Sequence, residues 1–463
     1  MRARLLVPGL LLVLARPAAA ANLDVTAAYR MKAISYTNLN LDSSNPNNRR
    51  FIENDARLGV AVRRIYLETR GVDDTTMDVG VLLRGLGVSN STSTLTPPLD
   101  RVAANYPQTN MTPFVENAYM KVHNLFGKPI EGTFGRQTFK LGSGLLLDDD
   151  GAGLTGAVIR ADLGFWDMKT QAFIFNDRDP RFGSPGSLDL FGLSFMLPTD
   201  GTWELNQLFE RDRAMQPVIG CSVTDTNGIV GTAGGAQTCM VGKSLKSFSS
   251  ARYQLNYGPM VFDGEAALEK GAANTTGVLP ASNHVTYNGN AEVVKAKWKQ
   301  SLYKTGEGIA RLSLARGSGD RADTGTTDEA FFPAHGHRFD GLERSGFGEF
   351  YGATPYDAFG GNYSTSTLNG MQPGVSGIIV VGAGFTPPAL HGWTIDLDYF
   401  LFRADKVASG STTLGFEWDL RLRYNIQDHF MLAFGADTFT AGTASNINRG
   451  TSRKYTFEAS GRF

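Results

Sequence analysis

The stretch Leu414-Gly415-Phe416-Glu417-Trp418-Asp419-Leu420-Arg421-Leu422-Arg423-Tyr424-Asn425 decides the fold class. Leu414, Phe416, Trp418, Leu420, Leu422 and Tyr424 fall on one side of an extended chain. Gly415, Glu417, Asp419, Arg421, Arg423 and Asn425 fall on the other, because successive side chains of a strand point to opposite faces. The same period of two recurs upstream. Trp393, Ile395, Leu397, Tyr399 and Leu401 alternate with Thr394, Asp396 and Asp398, and Ala296 and Trp298 with Lys295, Lys297 and Lys299. Tyr253, Leu255 and Tyr257 alternate with Arg252, Gln254 and Asn256. No helical stripe competes with these patterns.

Alternation of this kind suits a soluble β-sandwich or propeller as well as a barrel in a membrane. The carboxyl-terminal segment favours the barrel. Tyr455, Phe457, Ala459, Gly461 and Phe463 alternate with Lys454, Thr456, Glu458, Ser460 and Arg462, and a last strand ending on an aromatic is expected to act as an assembly signal, with Phe463 as its key residue. A bilayer supplies the physical cause: lipid-facing positions must be apolar, every backbone group must be paired, and closure removes the sheet edges. Turns at Gly127-Lys128-Pro129, Gly258-Pro259 and Gln427-Asp428-His429 are tight. The segments 89–112, 213–246, 271–290, 317–339 and 360–374 are long and polar. Short turns belong on the periplasmic side and long loops outside. The expectation is an all-β, transmembrane antiparallel β-barrel of about 18 strands, with 16 or 20 as alternatives and the span 341–384 holding either an extra strand pair or one long loop.

Composition agrees. Gly accounts for 54 of 463 residues, aromatics for 11%, charged residues for 19%, and mean hydropathy is −0.18. No run after the first 20 positions approaches the roughly 18 apolar residues of a spanning helix, and the aromatic content excludes disorder. Arg2 and Arg4, the apolar Leu5 to Ala15 and the small residues Ala18 to Ala21 read as a signal peptide over 1–21, with a single barrel domain over 22–463. The 44 basic and 45 acidic residues argue against nucleic acid as a partner. The expected partners are outer-membrane lipid, the barrel-assembly machinery and a polar or anionic solute, and the expected location is the bacterial outer membrane.

Three groups of residues resemble the alginate-export family of outer-membrane porins. The first is Gly135-Arg136-Gln137, Gly142, Leu145 to Asp149 and Gly156-Ala157-Val158-Ile159-Arg160. The second is Ser318-Gly319-Asp320, Phe331 or Phe332, Pro333, His337 and Gly341. The third is Gly415, Glu417, Asp419, Leu420 and Tyr424 with Gly435, Phe439 and Gly442. The resemblance implies an 18-stranded barrel passing a polymer or small solute passively, guided by charged pore residues.

Other motifs carry little chemistry. Gly151 to Gly156 matches GxGxxG but precedes an alternating strand rather than a helix, Gly242-Lys243-Ser244 lacks the upstream Gly of a P-loop, and GxSxG does not occur. His335 and His337 lack further metal-ligand residues nearby, and Asp148, Asp149 and Asp150 read as a solvated or pore-lining patch before a calcium site. No cofactor, metal or catalytic residue is expected. Cys221 and Cys239 suit a disulfide bracing an outer loop in an oxidising compartment, with free thiols as the alternative. The expected pore-lining residues are Arg136, Lys140, Arg160, Lys295, Lys297, Lys299, Arg311, Asp396, Asp398, Glu417, Asp419, Arg421 and Arg423. The function so indicated is a passive channel and not an enzyme, with a barrel enzyme or an adhesion barrel as the alternative.

Overall fold

A computed structural model describes residues 21–463 except 39–42, 45, 47, 70–73, 90–112, 150, 152, 178–187, 213–215, 220–237, 277–283, 303–305, 320–326, 332, 335–346, 350–374, 408–409, 428 and 445–449. The chain forms one closed antiparallel barrel of 18 strands. In order they are β1 Asn22–Thr37, β2 Arg49–Thr69, β3 Asp74–Ser89, β4 Pro113–His123, β5 Ile130–Gln137, β6 Leu154–Asp162, β7 Lys169–Asp177, β8 Leu188–Pro198 and β9 Thr202–Asp212. The second half comprises β10 Thr238–Tyr257, β11 Met260–Thr276, β12 Asn290–Leu302, β13 Gly306–Gly317, β14 Ile378–Thr386, β15 Trp393–Arg403, β16 Thr413–Ile426, β17 Phe430–Ala441 and β18 Thr451–Arg462. Closure is made by β1 and β18, in register from Ala28 opposite Arg462 to Thr37 opposite Arg453. The seam is sealed by Phe463, whose amide donates to the Ala27 carbonyl at 2.8 Å while its own carbonyl accepts from Ala27 at 3.0 Å. No unpaired edge is left, as a bilayer requires.

Short turns gather at one end. Gly258 and Pro259 link β10 and β11 directly, and the positive φ of Gly258 (56°) is the conformation glycine adopts most readily. Apolar side chains crowd the exterior. Trp418 and Phe434 are 48% and 42% exposed, whereas Glu417, one position from Trp418, is completely enclosed. Hydrophobic side chains thus face outward and charged ones inward, the inverse of a soluble core.

Some sequence expectations shift. The span 341–384 contributes no extra barrel pair, since β13 hydrogen-bonds to β14 directly. β10 and β11 reach into segments expected to be loops, their pairing continuing past a register shift between Val241 and Ser244, and a short strand, Gln216–Ile219, pairs onto β10. Residues 1–20 and Cys221, and the side chain of Cys239, fall outside what is described, so neither the leader nor the disulfide has a structural counterpart here. His335, His337 and Asp150 also lie outside the described residues.

Candidate pore

The lumen is not uniformly polar. From β7 to β10, Phe173, Phe175, Leu190, Leu208 and Phe248 point inward and are buried. They meet Phe139, Leu141, Leu145, Leu146, Leu147 and Leu154 from the connection between β5 and β6. The run Leu145-Leu146-Leu147 cannot remain in water without cost. Each leucine fully buried contributes about 1.5–3 kcal/mol, so the segment 138–153 folds into the barrel instead of projecting from it. Within it, Lys140–Leu141 pairs with Leu147–Asp148 as a small hairpin, and the Lys140 ammonium lies 3.0 Å from the Asp148 carboxylate.

Wall carboxylates hold the tip of that hairpin. Glu265 on β11 accepts from the Ser143 amide at 2.7 Å and from its hydroxyl at 2.5 Å, and Glu204 on β9 accepts from the Gly142 amide at 2.9 Å. Gly142 has φ of +64°, and a Cβ there would sit 2.4 Å from Glu265 Oε1, so a larger residue would be strained and would displace the carboxylate that holds the tip. The base of the segment is fixed by Arg84 of β3. Its fully buried guanidinium donates to both Asp55 oxygens at 3.0 and 2.9 Å and to the Gly151 carbonyl at 3.2 Å. Burial pushes the Asp149 carboxyl up to about 6, with Asp148 adding to the effect and the Gly153 amide, donating at 2.9 Å, opposing it.

A second inward segment, 347–349, docks on β16 and β18. The Glu349 amide donates to Glu417 Oε1 at 2.6 Å, and Lys454 donates to the Glu349 carbonyl at 2.8 Å and to its carboxylate at 2.9 Å. Burial would raise the Glu349 carboxyl, but Lys454, Lys32 and Arg421 hold it down at about 2. Phe347 is buried, with the Lys295 ammonium 5.1 Å from its ring centroid.

Beside this segment the lumen holds a compartment of about 400 Å³, walled among others by Lys32, Arg311, Asp398, Asp419, Arg421 and Asp437. Arg311 reaches Asp398 at 3.0 Å and Asp396 at 3.3 Å, Arg423 also bonds Asp396, and Arg421 lies 3.4 Å from Glu458. Cross-strand pairs of this kind keep both signs along the wall. Nearer the periplasmic mouth, Glu131 receives Arg160 at 3.3 Å and Lys121 at 2.9 Å.

The structure places Arg160, Lys295, Lys297, Lys299, Arg311, Asp396, Asp398, Glu417, Asp419, Arg421 and Arg423 on the inner face of their strands, and Lys140 on the inward hairpin. Arg136 is the correction. It shares the outward side of β5 with exposed Phe134, pairs with Ala118 and Thr155, and donates to the Val115 carbonyl at 3.0 Å. Its strand meets the rim there, with Gly135 at φ of 112°. The inward residues not anticipated from sequence, Asp55, Arg84 and Glu204, all sit at alternate positions of regular strands, so the period of two was the available signal. Glu349 had none.

No family model matches the chain, and no curated protein matches it. Solved structures do. Acinetobacter baumannii OccAB4 superposes with a TM-score of 0.54 at 9% identity, over 95% of this chain and 98% of that one. A. baumannii OccAB1 gives 0.52 at 10% identity over 95% and 96%. Pseudomonas aeruginosa OccK8 (OprE) gives 0.50 at 13% identity over 96% and 98%. Identities this low establish a shared fold, and with the apolar exterior they make this chain an 18-stranded transmembrane barrel of the bacterial outer membrane.

Proposed function

We propose that the protein is a passive outer-membrane channel for small polar solutes that bear charge. The observation that carries this reading is the open compartment walled by Arg311, Arg421 and Arg423 facing Asp396, Asp398 and Asp419. Alternating charge lets a solute exchange its hydration for wall contacts without being trapped by one sign, the balance that conduction needs. Inward segments at 138–153 and 347–349 narrow the path, which favours small solutes. The polyuronate path implied by the motif resemblance calls for a continuous basic track, whereas Asp396 lies between Arg311 and Arg423 and bonds to both.

Purified protein in planar bilayers should give discrete conductance steps. Proteoliposomes should swell in small amino acids, organic acids and sugars and not in uronate oligomers. Absence of conductance would overturn the channel in favour of an enzymatic or adhesive barrel. Swelling in uronate oligomers would restore the polymer path.

A further inference from the structure

Among the described residues of β15 to β18, basic side chains on the lipid-facing side occur only at the outer rim, the end that carries the long loops. On β2, Arg50 shares its face with exposed Leu58 and Val60. On β15, Arg403 shares its face with exposed Leu397, and on β18, Arg453 with exposed Tyr455. All three arginines are exposed. Two other basic side chains on this rim carry acidic partners: Arg211 lies 2.7 Å from Asp189, and Arg316 lies 3.0 Å from Asp405 and 3.5 Å from Glu292. Arg50, Arg403 and Arg453 contact no carboxylate among the described residues. From β14 through β18 and across the seam to β1, no described outward-facing strand position is acidic.

The neighbours of these arginines are hydroxyls. Arg50 is opposite Ser35, and Arg453 is opposite Thr37 on one side and Thr438 on the other. Arg403 is opposite Thr413 and donates to the Thr412 hydroxyl at 3.0 Å. Arg50 and Arg453 flank β1, two strand spacings across and two residues along, about 12 Å apart, so both guanidinium groups can meet one headgroup. At the periplasmic rim of β15 to β18 the outward positions are Trp393, Tyr424, Ile426, Phe430 and Phe463, with no charge, whereas β2 ends there with exposed Arg64 and Glu68. A general need for interfacial anchors would place arginine at both ends. On β15 to β18 its restriction to one leaflet indicates a partner that differs between leaflets.

We infer that the outer-rim sector formed by Arg50, Arg403 and Arg453, with its serine and threonine hydroxyls, binds the phosphate groups of anionic glycolipid headgroups in the outer leaflet. A guanidinium presents a planar fork of donors that matches phosphate oxygens, and the hydroxyls supply further donors. Lipid acyl chains would lie along the apolar exterior below, on Leu397 and Tyr455. This surface is separate from the lumen and its role is independent of what crosses the pore.

The test titrates detergent-solubilised protein with bisphosphorylated lipid A, with the same lipid after removal of both phosphates, and with inorganic phosphate. Tight binding is expected for the phosphorylated lipid alone. The R50Q/R403Q/R453Q variant should bind it on the order of a hundredfold more weakly, about fivefold for each arginine near an anionic surface. The R50K/R403K/R453K variant should recover much of the loss, since the charge is kept. Unchanged binding in a glutamine variant that still shows the heat-modifiable folded form would overturn the inference. Should the glutamine variant not fold, equal binding of the phosphorylated and dephosphorylated lipids to the parent protein would overturn it. Binding of inorganic phosphate as tight as that of the lipid would also overturn it, by assigning the site to a free anion.

Discussion

At the scale of single residues, Asp149 is a titrating group in a loop core, facing Asp148 and Glu116 and accepting from the Gly153 amide. Its carboxyl binds a proton up to about 6 in the folded protein, against an ordinary value of 3.8. Between those values the folded state holds a proton that the unfolded chain has released. Stability therefore falls as pH rises across this window and levels off above it. Asp149→Asn keeps an acceptor for Gly153 and removes the titration. The variant is expected to lose the corresponding decline, up to about 3 kcal/mol for a shift of this size, read as the heat-denaturation midpoint between pH 4 and 7. An identical pH dependence in parent and variant would show that the Asp149 proton is not linked to folding. Glu349 works in the opposite direction: held at about 2 by Lys454, its contribution is present above the usual carboxylate range and is lost as pH falls toward 2.

At the scale of elements, the segment 138–153 is attached by two kinds of interaction whose roles separate. Its leucines make docking favourable, and Glu204 and Glu265 set where the tip rests. A hydrogen bond to a charged group contributes about 1.5–3 kcal/mol, so Glu204→Gln with Glu265→Gln weakens the pin while leaving the apolar contact. The double variant should show more frequent and larger current fluctuations than the parent in planar bilayers, with heat-modifiable folding retained. Currents as quiet as the parent's would assign the position of the hairpin to the leucines alone. The closing strand makes a second case. Phe463 is 84% exposed on the lipid side and stacks beside His429, while its backbone bonds Ala27. Deleting it removes both the two seam hydrogen bonds and the terminal aromatic, and membrane-inserted protein is expected to fall several-fold. Inserted yield equal to the parent's would exclude an assembly role for the aromatic.

At the scale of the whole molecule, the proposed charge selectivity rests on a wall assembled by strands distant in sequence. Lys32 of β1, Arg311 of β13 and Arg421 and Arg423 of β16 share one compartment with Asp396, Asp398, Asp419, Asp437 and Glu458. Replacing Arg421 and Arg423 by Gln enlarges the excess of carboxylates on that wall. The reversal potential in a salt gradient should move toward cation preference. A folded double variant with an unchanged reversal potential would confine both arginines to cross-strand pairing, Arg421 with Glu458 and Arg423 with Asp396. Arg136 is omitted from this set because it faces outward.

The barrel itself was legible from the chain. Which side of a strand faces lipid is a local property, repeated every second residue, so Trp418 and Glu417 declare their faces without knowledge of any other segment. The same regularity brought the strand number within range and gave the closing strand its direction. The interior was not legible. Ser143 meets Glu265 across 122 residues and Glu349 meets Lys454 across 105. No periodicity encodes such contacts, which depend on the barrel having closed and brought its walls within reach of the loops. Leu145 to Leu147 announced only that they would leave water, and Arg136 was expected in the pore. Tertiary structure decided that the leucines turn into the lumen, where Phe173, Phe175 and Phe248 offered an apolar wall, and that the arginine turns out, where alternation at the rim carried it past the pore.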